Sequence, residues 1–420
     1  MKFFRIASVL LLLLLIGSAL SFPDFFGPSH RQPVAQSDQP DPAGREQVIE
    51  ASSSSPSPPS LHAGYACVMD ADSKRILYAK EGDSRVPIAS TTKIMTLIVA
   101  LESQRGEELV TVSERAASMP KVHLGARAGY QFKLKDLFYS LMLESHNDSA
   151  VAIAEHIGGS VEGFAQKMNE KASQLGLTNT HFVTPNGLDA DEHYSTASDL
   201  CRLAAYAIQN PDFCEIIQTK SYRFSTADKK HTYSLTNRDA FLSYYPGALG
   251  IKTGFTGKAG YCFVGAAKKD DTTLISCVLA CGWPPDKSWK WSDTKNLMNY
   301  GFDNFSVFTF PVDDLSTATI RVKDGKKDRV LCVQPSAPQT LCGPFDKVKI
   351  TYDLPKILYA PVRKDHPVGT VSYYINDELF STEKVFLTEN IEKSSFSDTI
   401  RNVLTIWMEC FGTNQSTSDF

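Results

Sequence analysis

The stretch STTKIMTLIVALE, residues 90–102, determines how the first folded domain of this 420-residue chain is built. Its aliphatic side chains leave no polar face, and a helix that is apolar all round is a buried one. Ser90 and Lys93 stand three residues apart, so their side chains share one face of that helix. A serine hydroxyl becomes a nucleophile when a neighbouring base removes its proton. The stretch therefore predicts a buried helix with a nucleophile and its base at the start.

Lys93 can act as a base only when its amine is neutral. An apolar site and a nearby cation both lower the pKa of a lysine, and the apolar helix provides the first of these. Lys252, farther along the chain, is the candidate cation. Ser90 would also lie at a helix N-terminus, where free N–H groups favour developing negative charge. Taken alone, the segment would be interpreted as a capped helix of the core, in which the lysine buries its aliphatic part and keeps its charged end in water.

Ser145-His146-Asn147 is the second polar motif, and it separates two predicted helices. Loops on a rigid scaffold often carry functional side chains. Ser145 can pass a proton from Lys93 toward a leaving amine, and the Asn147 amide can hold a substrate carbonyl. In isolation, a helix cap would be the preferred interpretation.

Lys252-Thr253-Gly254 is the third motif and ends a predicted strand. Gly254 would leave room for an extended substrate to pair along the strand edge. Lys252 and Thr253 would then receive a substrate carboxylate. An ordinary strand-to-turn junction is the alternative, so the interpretation depends on all three motifs occurring in this order.

Predicted strands at both ends of residues 63–305 enclose a helical insertion. A hairpin at 65–80 and three strands within 249–280 surround four helices, and a last helix follows over 292–302. The four inserted helices are predicted over 134–143, 149–157, 161–175 and 197–207. This order predicts an α+β domain in which helices flank an antiparallel sheet and form a separate subdomain.

The rest of the chain has a different character. Short β-branched runs between turns predict a small all-β domain over 306–391. Residues 392–420 form a tail whose apolar side chains recur at helical spacing: Phe396, Ile400, Val403, Leu404, Trp407 and Phe411. This amphipathic stretch is too short to span a bilayer, so we expect it to lie on a membrane surface. Docking on the β-domain is the alternative.

The N-terminal residues predict export from the cytoplasm. Residues 1–21 combine two basic residues, a leucine run and small residues before a cleavage point, which is typical of a signal peptide. An uncleaved membrane anchor is the alternative. Residues 22–62 are rich in Pro, Ser and Gln, and this composition predicts a flexible spacer.

Charge and cysteine content narrow the function further. The formal charge of −4 offers no basic surface for nucleic acid. The nine cysteines show no metal-binding pattern, and we expect no metal or other cofactor. Cys332 and Cys342 flank a Pro-rich loop and are candidates for a disulfide, whereas the others lie in apolar stretches and are expected to be buried.

The three motifs resemble those of penicillin-binding proteins and class A β-lactamases. Residues 64–305 are similar to the low-molecular-mass penicillin-binding proteins that act as serine-type D-alanyl-D-alanine carboxypeptidases. The β-rich region and the terminal helix also resemble the accessory domain and membrane anchor of that family. Other runs that fit its pattern are Asn186-Gly187-Leu188, His193-Tyr194-Ser195 and the stretch 245–256.

The resemblance implies a β-lactamase/transpeptidase-like catalytic domain and a role for each motif residue. Ser90 would be the acylated nucleophile and Lys93 its base, with the catalytic set completed by Ser145, Asn147 and Lys252. Thr253 would bind the terminal carboxylate of the substrate, beside Gly254. The backbone N–H groups of Ser90 and Phe255 would form the oxyanion hole.

Two positions depart from the family pattern. His146 stands where the family often has glycine, and is expected to be an additional titrating group at the groove. Lys290 stands where many members carry an arginine that assists carboxylate binding. A lysine has the same charge as an arginine, but it cannot form the pair of parallel hydrogen bonds by which an arginine holds a carboxylate.

The implied partners are peptidoglycan stem peptides ending in D-Ala-D-Ala, β-lactam antibiotics and the membrane surface. The implied location is the extracytoplasmic face of a bacterial cytoplasmic membrane. A D,D-endopeptidase shares every catalytic residue and remains an alternative. A β-lactamase needs a Glu-x-x-Leu-Asn element, whereas residues 184–188 read TPNGL. A non-catalytic wall-binding module is the remaining alternative.

Overall fold

A computed structural model of the chain describes residues 45–411, apart from residues 314, 316 and 317. The predicted signal peptide, the first part of the predicted spacer and residues 412–420 therefore lie outside the described residues.

Strands occur in both halves of the described chain. In chain order they are β1 (Glu46–Ile49), β2 (Tyr65–Asp70), β3 (Ile76–Lys80), β4 (Leu109–Thr111), β5 (Gln131–Lys133), β6 (Ser221–Ser225), β7 (Thr232–Thr236), β8 (Ala248–Thr256), β9 (Gly260–Lys269), β10 (Thr272–Leu279), β11 (Ser306–Thr309), β12 (Thr319–Lys323), β13 (Arg329–Leu331), β14 (Gln339–Cys342), β15 (Val348–Asp353), β16 (Ile357–Tyr359), β17 (Gly369–Ile375) and β18 (Glu378–Val385).

Helices fill the middle of the chain and return at its end. They are α1 (Lys93–Glu102), α2 (Glu114–Ala117), α3 (Leu134–Leu143), α4 (Asn147–Gly158), α5 (Val161–Gln174), α6 (Ala197–Ala207), α7 (Pro211–Gln218), α8 (Phe241–Tyr244), α9 (Trp289–Asn304) and α10 (Phe396–Phe411). A short 3-10 helix, Ala89–Thr92, leads into α1.

The predicted α+β fold is confirmed. Five antiparallel strands form the central sheet in the order β3-β2-β10-β9-β8. Successive side chains of a strand point to opposite faces, and β2 shows this directly. Cys67 and Met69 belong to the core that contains α1 and α6, whereas Ala66 and Val68 pack with Leu297 of α9. The sheet is therefore covered by helices on both faces.

The sheet edge and the helical subdomain meet at α1. As predicted, α1 has no polar face, and every residue from Lys93 to Ala100 is buried. The side chains of Ile94 and Leu97 are fully buried among residues of α3, α4 and α5. Strand β8 lies at the edge of the sheet next to the start of this helix.

The all-β C-terminal region has a second, separate core. Its largest sheet has the order β1-β15-β17-β18, so a strand from the predicted spacer completes it. The prediction of a flexible spacer is therefore wrong for Glu46–Ile49, which pairs antiparallel with β15. Composition could not reveal this pairing, because the strand is held through its backbone by a partner 300 residues away.

The predicted disulfide is also absent, because Cys332 and Cys342 are both free thiols. Cys332 lies opposite Leu387, whereas Cys342 on β14 lies opposite Ser306 on β11. The two residues therefore belong to different strand pairs, although they flank the same loop. Cys67, Cys201, Cys262, Cys277 and Cys281 are buried, as expected, whereas Cys214 is only partly buried.

One ion pair joins the two halves of the molecule. The Arg75 guanidinium donates to both carboxylate oxygens of Asp346, at 2.7 and 2.9 Å, and also to the Leu341 carbonyl. Burial acts to raise the pKa of the Asp346 carboxyl, but the hydrogen bonds from Arg75 and from the Gly343 N–H outweigh it and lower that pKa. Since a bidentate pair has fixed geometry, it orients the β-domain against the hairpin β2–β3.

The predicted amphipathic helix at the C-terminal end is confirmed as α10. Apolar side chains line one face of α10 and form an apolar stripe. They are exposed by 45% at Ile400, 60% at Val403 and 53% at Leu404. In the part of the chain that the structure describes, no helix combines the length and the apolar character needed to cross a membrane.

Candidate active site

Ser90 lies in the 3-10 helix before α1, because the α-helix begins at Lys93 and not at Ser90 as the sequence predicts. The turn is tightly constrained, because Ala89 has a φ of +48°. A side chain at Gly254 would come within 3.0 Å of the Ser90 nitrogen and 3.1 Å of the Ala89 Cβ. The expectation that Gly254 makes room for substrate is therefore corrected: its missing side chain lets β8 pack against the Ser90 turn.

A second glycine brings another chain segment to the same turn. Gly187 has a φ of +80°, and a Cβ there would come within 2.0 Å of the Ala89 carbonyl oxygen. The neighbouring Asn186 carbonyl consequently faces the start of α1, where it lies 2.6 Å from the Lys93 amine. Three separate segments thus converge on Ser90.

Lys93 has no exposed surface and its Nζ has three uncharged partners. Nζ lies 2.8 Å from Ser90 Oγ, 2.9 Å from Asn147 Oδ1 and 2.6 Å from the Asn186 carbonyl oxygen. Burial is the main cause that lowers the pKa of Lys93 well below its ordinary value, and the charge of Lys252 lowers it further. The nearby Asp148 carboxylate opposes this shift.

These contacts orient the lone pair of the neutral lysine. A neutral amine has two N–H groups and one lone pair. The Asn186 carbonyl and Asn147 Oδ1 can only accept hydrogen bonds, so they take the two N–H groups. The lone pair then faces Ser90, whose hydroxyl is the remaining partner and can donate to it. This is the arrangement that a serine nucleophile and a lysine base would require.

Ser145 follows α3 in a left-handed turn with a φ of +66°. Its Oγ is buried and has no hydrogen-bond partner among the described residues. An unpaired buried hydroxyl is costly, which suits a group that completes its hydrogen bonds when a substrate is bound.

Asn147 is the first residue of α4 rather than part of the loop. Its Oδ1 accepts from Lys93, and its Nδ2 donates to the Pro120 carbonyl at 3.2 Å. Oδ1 thus orients Lys93, and because Nδ2 carries two N–H groups, Asn147 can still donate to a substrate carbonyl as predicted.

Lys252 is 2% exposed and lies on β8, which continues to Thr256 instead of ending at the motif. Burial lowers the pKa of Lys252 to about 8, while Asp239 raises it. Its Nζ donates to the Thr253 carbonyl at 3.1 Å. A protonated Lys252 would be the predicted cation that lowers the pKa of Lys93.

A cleft of about 500 Å³ opens beside Ser90. Of the predicted site residues, Ser90, Ser145, Thr253, Gly254, Phe255 and Lys290 line it. Lys93, Asn147 and Lys252 lie buried behind its wall. The prediction for His146 is wrong in one respect: this residue is only 5% exposed and points away from the cleft, with Nδ1 2.8 Å from Ser140 Oγ.

Lys290 is the cation at one end of the cleft. Its Nζ lies 4.7 Å from the centre of the Tyr261 ring and 4.6 Å from that of Trp291. It also donates to the Lys287 carbonyl at 2.6 Å. Burial, the largest cause, lowers the pKa of the Lys290 amine. A cation between aromatic rings is a suitable partner for a carboxylate.

Sequence reasoning missed several residues that shape the site. Asp148 accepts the N–H groups of Leu124, Gly125 and Ala126, at 2.8 to 3.3 Å, and so fixes the segment beside Asn147. Glu144 and Arg238 line the cleft, as does Lys121. The signal for Asp148 in the sequence is its position, since it is an acidic residue directly after the second motif.

His193 is hydrogen-bonded to the 3-10 helix that contains Ser90. Its Nδ1 accepts the Val183 N–H at 3.0 Å, so its Nε2 carries the proton and donates to Thr92 Oγ1 at 2.9 Å. Burial lowers the pKa of His193 to about 4, which keeps the ring neutral. In the described part of the chain, no group of three or more His, Cys, Asp and Glu residues is placed to hold a metal ion.

Comparison with protein families gives two matches. A family described as D-alanyl-D-alanine carboxypeptidase matches residues 52–282. The C-terminal domain of penicillin-binding protein 5 matches residues 305–393.

Individual relatives agree with these matches. D-alanyl-D-alanine carboxypeptidase DacC of Escherichia coli strain K12 is 31% identical over 84% of this chain and 88% of its own. The corresponding DacF of Bacillus subtilis strain 168 is 29% identical over 81% of this chain and 89% of its own. Penicillin-binding protein 5 from Haemophilus influenzae superimposes with a TM-score of 0.67 at 29% identity, over 81% of this chain and 100% of that chain.

Gly187→Ala should slow the labelling of Ser90 by more than its backbone strain alone would. Gly159 has a similar φ of +74° but an open environment, so Gly159→Ala is the matched control. Strain alone costs about 1–2 kcal/mol in each variant. The additional clash with Ala89 should displace the Asn186 carbonyl and slow labelling of Ser90 by penicillin roughly 100-fold. Denaturant unfolding and labelling rates measure both effects, and equal labelling in the two variants would contradict this role.

Proposed function

The chain belongs to the D-alanyl-D-alanine carboxypeptidase family of serine-type peptidases, and we propose that Ser90 carries out this activity on peptidoglycan stem peptides. The observation that carries the proposal is the environment of the Lys93 amine. It is buried, its partners are uncharged, and its lone pair faces the Ser90 hydroxyl in the neutral form.

Substrate binding would begin with the terminal carboxylate of the peptide. Thr253 and Lys290 line the cleft, and Lys252 adds a buried positive charge behind Thr253. An extended peptide would lie beside the edge strand β8. The carbonyl carbon of the penultimate D-alanine would then lie at Ser90.

Acylation then follows from the hydrogen-bond geometry. The Ser90 hydroxyl gives its proton to neutral Lys93 as its oxygen bonds to the carbonyl carbon. The N–H groups of Ser90 and Phe255 would receive the resulting oxyanion. When the C–N bond breaks, the departing D-alanine amine takes a proton from Lys93 through Ser145. Lys93 is neutral again and can activate the water that hydrolyses the ester.

The cleft is less suited to a β-lactamase. Rapid deacylation of a penicilloyl ester requires a carboxylate that activates water. The segment 184–188 presents the Asn186 backbone carbonyl to Lys93 and no carboxylate. Glu144 does line the cleft, but it lies 3.4 Å from the Arg238 guanidinium. We therefore expect a long-lived penicilloyl enzyme.

The test is release of free D-alanine from a stem pentapeptide by the full-length exported chain. We expect release by the native chain, no release by Ser90→Ala, and a single penicillin adduct on the peptide containing Ser90 in mass spectrometry. A crosslinked dimer of stem peptides and a chromogenic β-lactam are assayed in parallel. Preferred cleavage of the crosslink would identify an endopeptidase, and fast turnover of the β-lactam a β-lactamase. A folded chain with no adduct would overturn the assignment of Ser90.

Lys93→Arg should abolish acylation while preserving positive charge. Arginine keeps its proton throughout the accessible pH range, so it supplies no base. We expect the rate constant for penicillin acylation to fall by roughly 1,000-fold or more, the scale of a removed catalytic group. Lys171→Arg is a suitable control, since Lys171 forms an ion pair with Glu102 away from the cleft. Near-normal acylation of Lys93→Arg would rule out its role as the base.

We also propose that the protein works outside the cytoplasm and at the membrane surface. The signal-like residues 1–21 support export. The exposed apolar stripe of α10 supports surface attachment, since an interfacial helix buries one face in the headgroup region. The division into a catalytic domain over 63–305, an accessory domain over 306–391 and a tail over 392–420 fits this arrangement.

Removal of α10 should release the protein from lipid. Truncation after Ser395 retains Ile391, which is only 2% exposed in the β-domain core. We expect the mature chain to float with vesicles of phosphatidylglycerol and phosphatidylethanolamine, and the truncated chain to remain in solution. Leu404→Asp, on the stripe, should weaken flotation far more than Thr405→Asp, which adds the same charge beside it. Equal flotation of all four proteins would show that the helix does not bind the membrane.

A further inference from the structure

The second motif contains a network that the mechanism does not use. The Glu144 carboxylate is held between two basic side chains, each at 3.4 Å: Arg238 Nη2 on Oε1 and His146 Nε2 on Oε2. The Thr236 N–H anchors Oε1 at 2.9 Å. Both 3.4 Å contacts are longer than the roughly 2.7–2.9 Å of a strong charge-assisted hydrogen bond. A small movement of the carboxylate toward one base therefore lengthens the contact with the other.

His146 is placed so that it can take up a proton without losing a partner. Its Nδ1 lies 2.8 Å from Ser140 Oγ, which lies 2.7 Å from Ser149 Oγ. With neutral His146, the Ser140 hydroxyl can donate to Nδ1. With protonated His146, Nδ1–H donates to Ser140, and that hydroxyl turns to donate to Ser149. A hydroxyl both donates and accepts, so either state is satisfied.

The charged and titratable groups around His146 act in both directions. Burial is the largest cause and lowers the pKa of His146 below its ordinary value. Asp148 and Glu144 raise it, whereas Lys93 and His123 lower it. Asp148 already accepts several backbone N–H groups, so Glu144 is the carboxylate that can respond to a change at His146.

The two ends of this network differ in exposure. The His146 side chain is 6% exposed, whereas the Arg238 side chain is 69% exposed and lines the mouth of the cleft. A proton taken up by the buried ring can therefore affect a guanidinium that meets the substrate. Ser145 lies between Glu144 and His146 in the chain, so the network also holds the left-handed turn of the motif serine.

We propose that His146 is a positioning residue for the cleft, which draws Glu144 toward itself when protonated and so releases Arg238 to bind a substrate carboxylate. The inference rests on the proposed function only in that the ligand is anionic. When His146 is neutral, Arg238 shares the charge of Glu144 and attracts a substrate carboxylate less strongly. The expected effect is on binding and not on acylation, since the hydrogen-bond partners of Lys93 Nζ are Ser90, Asn147 and Asn186 and include none of these three residues.

A titration of His146 tests the network without any catalysis. Nitrogen chemical shifts of the ring are followed by NMR from about pH 4.5 to 8, with His146→Gln used for assignment. Arg238→Gln should raise the pKa of His146, because the Glu144 charge is then no longer shared. Glu144→Gln should lower it. If neither substitution moves the titration in a folded protein, the proposed coupling is wrong.

Binding is measured separately in the Ser90→Ala background, where the stem pentapeptide is not consumed. We expect its dissociation constant to fall about two- to fivefold as His146 gains its proton, the range of a partly exposed ion pair. His146→Gln should remove that change and retain the weaker binding, and Arg238→Gln should remove it as well. A pH dependence that survives both substitutions would overturn the proposal.

Two other groups near the cleft have pKa values in or at the edge of this range, and one of them is Lys252, whose pKa burial lowers to about 8. Burial raises the pKa of Asp239 to about 7, and Lys252 and Lys290 lie close enough to oppose that shift. Asp239→Asn is therefore measured in parallel and should keep the change assigned to His146. Absence of peptide binding at every pH would contradict the proposed substrate, whereas the NMR titration would still decide the coupling.

Discussion

The burial of Lys93 among uncharged partners is the constraint on which the rest of the active site depends. Burial disfavours an ammonium without a carboxylate partner and therefore lowers the pKa of Lys93. Its three hydrogen-bond partners are all uncharged and come from different segments: the 3-10 helix, the start of α4 and the loop at Asn186. The fold must bring these segments together at an apolar helix, and the close approaches at Gly187 and Gly254 allow it to do so.

The sequence predicted the parts of this site that follow from local spacing. Ser90 and Lys93 share a face because they are three residues apart, and the apolar run after them predicted burial. The contribution of Asn186 could not be predicted from residue type, because it is a backbone carbonyl. Nor could the orientation of His146 be predicted, since a left-handed turn at Ser145 decides which side chains face the cleft.

The same distinction holds for the fold. The hairpin β2–β3, the buried helix α1 and the amphipathic helix α10 were predicted because each has a local periodicity. Strand β1 was missed because its four residues have no such pattern and acquire their structure from β15. The ion pair between Arg75 and Asp346 was also missed, since two charged residues 271 positions apart carry no signal of contact.

The charge distribution of the cleft limits what recognition of a carboxylate can achieve. A carboxypeptidase substrate carries its carboxylate on the leaving D-alanine, and the amine released from a peptide crosslink can carry one at a similar place. Lys252 and Lys290 would attract both. The two substrates differ in the size of the leaving group. The cleft can distinguish them by its shape and its apolar contacts. The rings of Tyr261 and Trp291 stand against Lys290, with Phe255 beside Tyr261 at 4.6 Å between ring centres. Such walls strengthen the attraction of Lys290 for a carboxylate by excluding water, and they also restrict the space beyond it. We therefore expect a preference for a single terminal residue to depend on these aromatic side chains more than on the cations.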